Sequence, residues 1–92
     1  MSEDDAVDEI TNLQAEILKS LAHPRRLQIM RRLDEGPCDV GTLATELGVS
    51  QPNLSQHLAV LRSTGLVDAV RDGREIRYRL VDPDVITACM IM

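Results

Sequence analysis

A mainly α-helical domain closed by a small β-hairpin (α+β) is the fold class this sequence predicts, on three observations. Leucines and isoleucines recur at intervals of three or four residues, the period of helices with one buried face. Two short helical stretches are separated only by Gly48-Val49-Ser50. Beyond them, two alternating runs, Val67–Arg71 and Glu75–Leu80, flank Asp72-Gly73, a hairpin-turn signal. The expected order is α-α-α-α-β-β-α within one domain of 92 residues.

The first helix is expected from about Val7 to Ser20, with Ile10, Leu13, Ile17, Leu18 and Leu21 forming one apolar stripe. His23-Pro24 breaks it, because the residue before proline avoids the helical region. Proline suits a first helical turn, so a second helix runs Pro24–Leu33 with Leu27, Met30 and Leu33 inward and His23 as its cap. Asp34-Glu35-Gly36-Pro37 stops it. Asp39 can N-cap a third helix, Val40–Leu47, which ends at Gly48. Ser50 then caps a fourth, with its hydroxyl accepting from the Asn53 amide, since Pro52 has no N–H to give. In the two strands Val67 and Ala69 face Ile76, Tyr78 and Leu80. Asp82-Pro83-Asp84 opens a last helix whose Val85, Ile86, Ala88, Met90, Ile91 and Met92 are apolar nearly all round. Such a helix needs a cover, and a second copy of the chain is the simplest one.

With no Phe or Trp and a single Tyr, the core must be built from Leu, Ile, Val, Met and Ala. No apolar run approaches the roughly 20 residues of a membrane span. The acidic opening (Glu3, Asp4, Asp5, Asp8, Glu9) is the opposite of a secretory n-region, so the cytoplasm is the expected compartment. The net charge of −5 is unevenly spread. Residues 1–18 hold six acids and no base, whereas residues 22–79 hold nine Arg against seven acids. Arginine is the side chain suited to bidentate phosphate and base contacts.

Helix, tight turn, helix and hairpin, in that order, is the arrangement of a winged helix-turn-helix. The fourth helix carries the chemistry. At about 100° per residue, Leu54, Leu58 and Leu61 share one face. Pro52, Ser55, Gln56, Ala59 and Ser63 share the other, flanked by Gln51, Asn53 and Arg62. An outward face that is small and amide-bearing, rather than charged, suits a major groove, where Gln and Asn read base edges. His57, at the edge of the leucine face, reads as a packed, hydrogen-bonded histidine. No Ser/His/Asp set, phosphate-cradling glycine loop or paired acids point to an enzyme.

Residues 18–82 resemble the ArsR/SmtB family of winged-helix repressors. The resemblance is carried by Leu18-Lys19-Ser20-Leu21-Ala22-His23-Pro24-Arg25-Arg26-Leu27, by Ser50-Gln51-Pro52-Asn53-Leu54-Ser55-Gln56-His57-Leu58 with Leu61-Arg62 and Gly65-Leu66-Val67, and by Gly73-Arg74 through Tyr78-Arg79-Leu80. It implies a homodimer joined through residues 1–21 and 83–92. That dimer would read a dyad-symmetric operator in double-stranded DNA with the helix 51–64 and a wing at 67–80. The implied DNA contacts are Ser50, Gln51, Asn53, Ser55 and Gln56, with Arg62 beside them and Arg71 and Arg74 at the wing tip. Arg77 and Arg79, nearer the wing's base, read equally well as solvent-facing.

Release by a metal or an oxidation event is also implied, but the sensor patterns are altered. The arsenic-type Cys-x-Cys falls on Asp39 and Gly41, with Cys38 one residue early. Of the zinc-type ligands on the last helix only Asp82 and Asp84 match in position, and Asp84 stands where a His is needed. Those two acids read more simply as a helix cap. Cys38 and Cys89 remain as sensor candidates, for thiol oxidation, persulfidation or a thiophilic metal ion. Cys38 lies just before a helix N-terminus, which favours thiolate, while Asp39 opposes it. The competing reading makes Cys89 a small core residue and Cys38 a loop residue without a role. Two other functions fit the same fold: a winged-helix module for protein–protein assembly, and a DNA-binding protein with no effector.

Overall fold

A computed structural model of the chain describes residues 7–84. The expected last helix, with Cys89, lies outside the described residues, as does the acidic opening before Val7.

Four helices and three short strands follow one another as α1 (Glu9–Leu21), α2 (Pro24–Asp34), β1 (Cys38–Asp39), α3 (Val40–Leu47), α4 (Gln51–Ser63), β2 (Val67–Asp72) and β3 (Glu75–Leu80). Each helix starts where the sequence supplies an acceptor for its free amides. Asp8 accepts from the Thr11 amide, His23 Nδ1 from Arg25, Asp39 from Thr42 and Ser50 Oγ from Asn53. Between α3 and α4 the chain must reverse within Gly48-Val49-Ser50. Gly48 does this with φ +69°, and the Val49 amide returns to the Ala44 carbonyl at 3.1 Å.

The hairpin pairs Val67 with Leu80, Ala69 with Tyr78 and Asp72 with Glu75. Its two-residue loop is therefore Gly73-Arg74, with Asp72 as the last paired residue rather than a turn residue. Gly73 has φ +65° and Arg74 a negative φ, the II′ pattern that demands glycine first. The sequence reading missed β1. Its two residues pair antiparallel with Tyr78 and Arg77, giving a three-stranded sheet in the order β1-β3-β2.

The core gathers Ile29, Met30 and Leu33 of α2, Leu43 of α3, Leu54, Leu58 and Leu61 of α4, and Leu66, Val67 and Leu80 of the wing's base. Each fully buried Leu, Ile or Met side chain contributes about 1.5–3 kcal/mol. In α2 the inward set differs from expectation: Ile29 is completely buried and Leu27 only partly, because α2 is covered on several sides, by α1, α3, α4 and β3. The α1 stripe is split. Leu21 is buried, whereas Ile10, Leu13 and Leu18 are 73%, 62% and 54% exposed, since no described part of the chain covers them.

Candidate nucleic-acid interface

The three leucines of α4 decide which side of that helix can meet a ligand. Leu54, Leu58 and Leu61 are at most 1% exposed, so the helix is fixed in rotation and its opposite side is turned to solvent. Gln51, Pro52, Asn53, Ser55, Gln56, Ala59, Arg62 and Ser63 are all exposed there. Ser50 is exposed too, with one lone pair committed to capping at 3.3 Å. Gln51 stands over the start of α3. A Cβ placed on Gly41 would lie 3.5 Å from Gln51 Nε2 and 3.3 Å from Asp39 Oδ1. The tighter of these approaches is to the capping carboxylate of α3, while the one to Gln51 is an ordinary contact.

Alternation along β2 and β3 sorts the arginines between two faces of the wing. Arg77 pairs with Asp72 at 3.4 Å and Glu75 at 3.8 Å, and Arg79 pairs with Asp68 at 3.3 Å. These two are neutralised by their own hairpin, although such exposed pairs add little stability. Arg71 belongs by alternation to the other face, where it borders a hollow of about 330 Å³ with Arg62, Ala69, Ile76 and Tyr78. It also borders a hollow of about 350 Å³ with Pro37, Val70, Asp72, Arg77 and Arg79. Arg74 occupies the loop. The side chains of Arg62, Arg71 and Arg74 have no ion-pair or hydrogen-bond partner among the described residues. Tyr78 was read from sequence only as a strand residue. The register that places it opposite Ala69, beside Arg62, is the signal that would have found it.

Behind the exposed face of α4 lies a second constellation. His57, on α4, stacks on His23 with ring centroids 4.5 Å apart and accepts from Arg26 Nε through Nδ1 at 3.3 Å. Arg26 also donates to the Ser20 carbonyl of α1 at 3.0 Å, and Arg25 to the Leu47 carbonyl of α3 at 3.3 Å. Burial pushes the His57 pKa down, and the His23 ring and the Arg26 and Arg25 charges push it the same way. His57 is therefore a neutral, packed joint between α2 and α4.

Cys38 corrects an expectation. It is the buried first residue of β1, not a loop residue, and its Sγ donates to the Asp39 carbonyl at 3.4 Å. Burial is the largest influence and raises the thiol pKa. Arg32 works against it, and Glu46 and Asp39 reinforce it. Held above its ordinary value, the thiol stays protonated near neutral pH. Arg32 is itself tied to Glu46 of α3 by an ion pair. At the other end, Asp82 Oδ1 accepts from the Asp84 amide at 3.0 Å, as a cap does. Among the described residues no group of three or more His, Cys, Asp or Glu could hold a metal ion. Nor is any described helix long and apolar enough to cross a membrane.

A helix-turn-helix whose second helix presents exposed amides, followed by a hairpin whose arginines are partly left unpaired, is a winged helix-turn-helix. Comparison with known proteins specifies it. The family model described as bacterial regulatory protein, arsR family, matches residues 23–69, and the chain belongs to that family. It is 45% identical over 71 residues to the biofilm growth-associated repressor of Xylella fastidiosa, a match covering 77% of this chain and 62% of that protein. Among solved structures it is similar to the transcriptional repressor BigR from Xylella fastidiosa, with TM-score 0.82 and 36% identity over 98% of this chain and 91% of that one. It is equally similar to the homodimeric winged helix-turn-helix DNA-binding domain of Mb0332 from Mycobacterium bovis, a possible ArsR-family transcriptional regulator. There the TM-score is 0.83 and the identity 34%, over 99% of this chain and 82% of that one.

Proposed function

We propose that this protein is a homodimeric transcriptional repressor that binds a dyad-symmetric DNA operator and is released from it by thiol chemistry or a thiophilic metal. The observation that carries the DNA reading is the outward side of α4. Gln51, Asn53, Ser55 and Gln56 stand exposed and uncharged, beside the three arginines with no described partner, on a chain that is acidic overall. Amide side chains can pair bidentately with adenine, and the small Ser55 and Ala59 permit close approach to the groove floor. Ser50, Arg62, Arg71 and Arg74 would hold the backbone and set register. The exposed Ile10, Leu13 and Leu18 of α1 support a dimer that buries residues 1–21 together with 83–92. Two such readers would engage half-sites about 34–36 Å apart.

Binding titrations on the protein's own promoter test this reading. Gln51→Ala and Ser55→Ala should each lose about 5- to 150-fold in affinity for the specific site, as expected for lost base contacts, and little on random duplex. Unchanged specific binding by a folded variant would take the base contacts away from Gln51 and Ser55. A wild type with no preference for its promoter would move the function to protein–protein assembly. For the effector, wild type and Cys38→Ser are compared under reducing and oxidising conditions. Oxidant-dependent release that persists in Cys38→Ser would remove Cys38 from the switch.

A further inference from the structure

We propose that Arg62 of α4 and Arg71 of β2 together grip a single backbone phosphate of duplex DNA in the hollow between recognition helix and wing, with the Tyr78 hydroxyl as a third donor. The proposal rests on the DNA-reading assignment and gives that assignment a specific anchoring point.

The hollow, about 330 Å³, is lined by Arg62, Ala69, Arg71, Ile76 and Tyr78. Arg62 and Arg71 both border it, and neither side chain has a counter-ion among the described residues. Both are exposed, so water carries their charge, although the neighbourhood is not short of carboxylates. Asp68, Asp72 and Glu75 lie on the same two strands, but they are spent on Arg77 and Arg79 of the opposite face. Strand alternation keeps them there, since a side chain changes face with every residue. Arg62 and Arg71 are thus both available to an anion from outside the chain. Ala69 and the half-exposed Ile76 form its apolar walls. The Tyr78 hydroxyl makes no hydrogen bond with any described residue and can donate to the same oxygens.

Position argues for a phosphate of DNA. At about 100° per residue, Gln51, Ser55 and Arg62 fall within roughly 40° of one another, so the hollow lies on the same stripe as the base-reading residues. At about 1.5 Å per residue, Arg62 stands some 16 Å along the axis from Gln51 and 10 Å from Ser55. A major groove is only about 12 Å wide, so a helix that sets Gln51 and Ser55 over base edges carries Arg62 to the groove wall, where phosphates lie. Arg62, Arg71 and Ile76 are all exposed, which leaves the hollow open along the surface for a continuous backbone to pass.

Operator duplexes carrying one neutral methylphosphonate at a time, scanned across a half-site, test the grip. Wild type should lose about tenfold at one backbone position, and Arg62→Gln/Arg71→Gln should be indifferent to that substitution while binding about as weakly as wild type does on the modified duplex. The slope of log affinity against log salt should fall by about 0.9 per half-site in the double variant, the value for one phosphate. Tyr78→Phe should show a smaller loss at the same position. A fall of about 1.8, or two separate sensitive positions, would overturn the shared grip in favour of two independent contacts. Unaltered binding by the double variant, with Gln51→Ala still losing base discrimination, would overturn the grip and leave the DNA reading standing. Failure of wild type to prefer its operator would remove both. Inorganic phosphate at millimolar concentration should not shift the Tyr78 ring resonances as the duplex does. If it does so equally, the hollow is a free-phosphate site and the proposal fails.

Discussion

Replacing Arg26 by Met tests whether the joint behind α4 holds the recognition helix in place. Met preserves the apolar stem and removes two charge-assisted hydrogen bonds, to His57 Nδ1 and to the Ser20 carbonyl. A bond of this kind is worth about 1.5–3 kcal/mol when shielded, and at this half-buried site about half of that is appropriate, so the pair should cost roughly 2 kcal/mol. Against a total of about 5–14 kcal/mol for a chain of this length, that is a large fraction. It should lower the melting temperature by about 8–16 °C. The same change carries a proton-linked signature. The native His57 pKa is held below its ordinary value of about 6.5, so the unfolded chain takes up the proton first. The stabilisation from a neutral His57 is complete above pH 6.5 and is lost as pH falls from there through the native pKa. Removing Arg26 takes away one cause of the depression and the bond to the neutral ring. The variant should therefore be less stable at pH 7.5 yet lose less on acidification to pH 5.5, and its His57 resonance should titrate at higher pH. Urea unfolding at the two pH values, with an NMR titration of the imidazole, reads both effects. Stability within about 0.5 kcal/mol of wild type together with an unmoved His57 titration would refute the joint.

Leu58→Ala, at a site 1% exposed, should cost about 2–5 kcal/mol in urea unfolding. A loss under 1 kcal/mol would mean that α4 is not anchored by that face. Asp39 is held below the usual carboxylate range by the Thr42 amide and hydroxyl, so its contribution is present above about pH 4 and lost as pH falls through its native pKa. Asp39→Ala should therefore flatten that part of the acid limb, and an unchanged acid limb would contradict the cap. Cys38, buried and with its thiol pKa raised, should alkylate far more slowly in the native protein than in denaturant, as followed by peptide mass spectrometry. A native rate equal to the unfolded one would show that the thiol is open to solvent.

The features legible in the sequence were those written in local chemistry. Ser50, Asp39 and His23 cap helices because their side chains accept amides from residues two or three positions ahead, and that requires no knowledge of the rest of the chain. The α4 faces followed from leucine spacing alone. What escaped depended on partners distant in sequence. A two-residue strand has no period to detect, so β1 became visible only when Tyr78 and Arg77 were placed beside it. Cys38 was misread for the same reason, because its ionisation is governed by burial under the sheet rather than by the helix that follows. Ile29 lies off the expected stripe of α2 and is buried because that helix is covered from several directions. The candidate contacts on α4 and the wing tip are exposed, which leucine spacing and the turn signal suffice to predict. The division of the wing arginines into paired and unpaired faces needed the hairpin register, which a one-residue shift would have reversed.

The short β1 strand also makes the wing a cantilever. Its clamp reaches only Tyr78 and Arg77, so β3 is bonded on both edges near the root, while Arg71, Asp72, Glu75 and Ile76 have only each other. Stiffness must drop where the third strand ends. Amides from Arg71 to Ile76 should exchange with solvent by local bending, and those at the root only with the opening of the core. A tip of that compliance can follow a groove of varying width without disturbing the angle of the beam. The wall that holds the beam is α3 itself, because Asp39, the second residue of the clamp, is also the cap from which that helix begins.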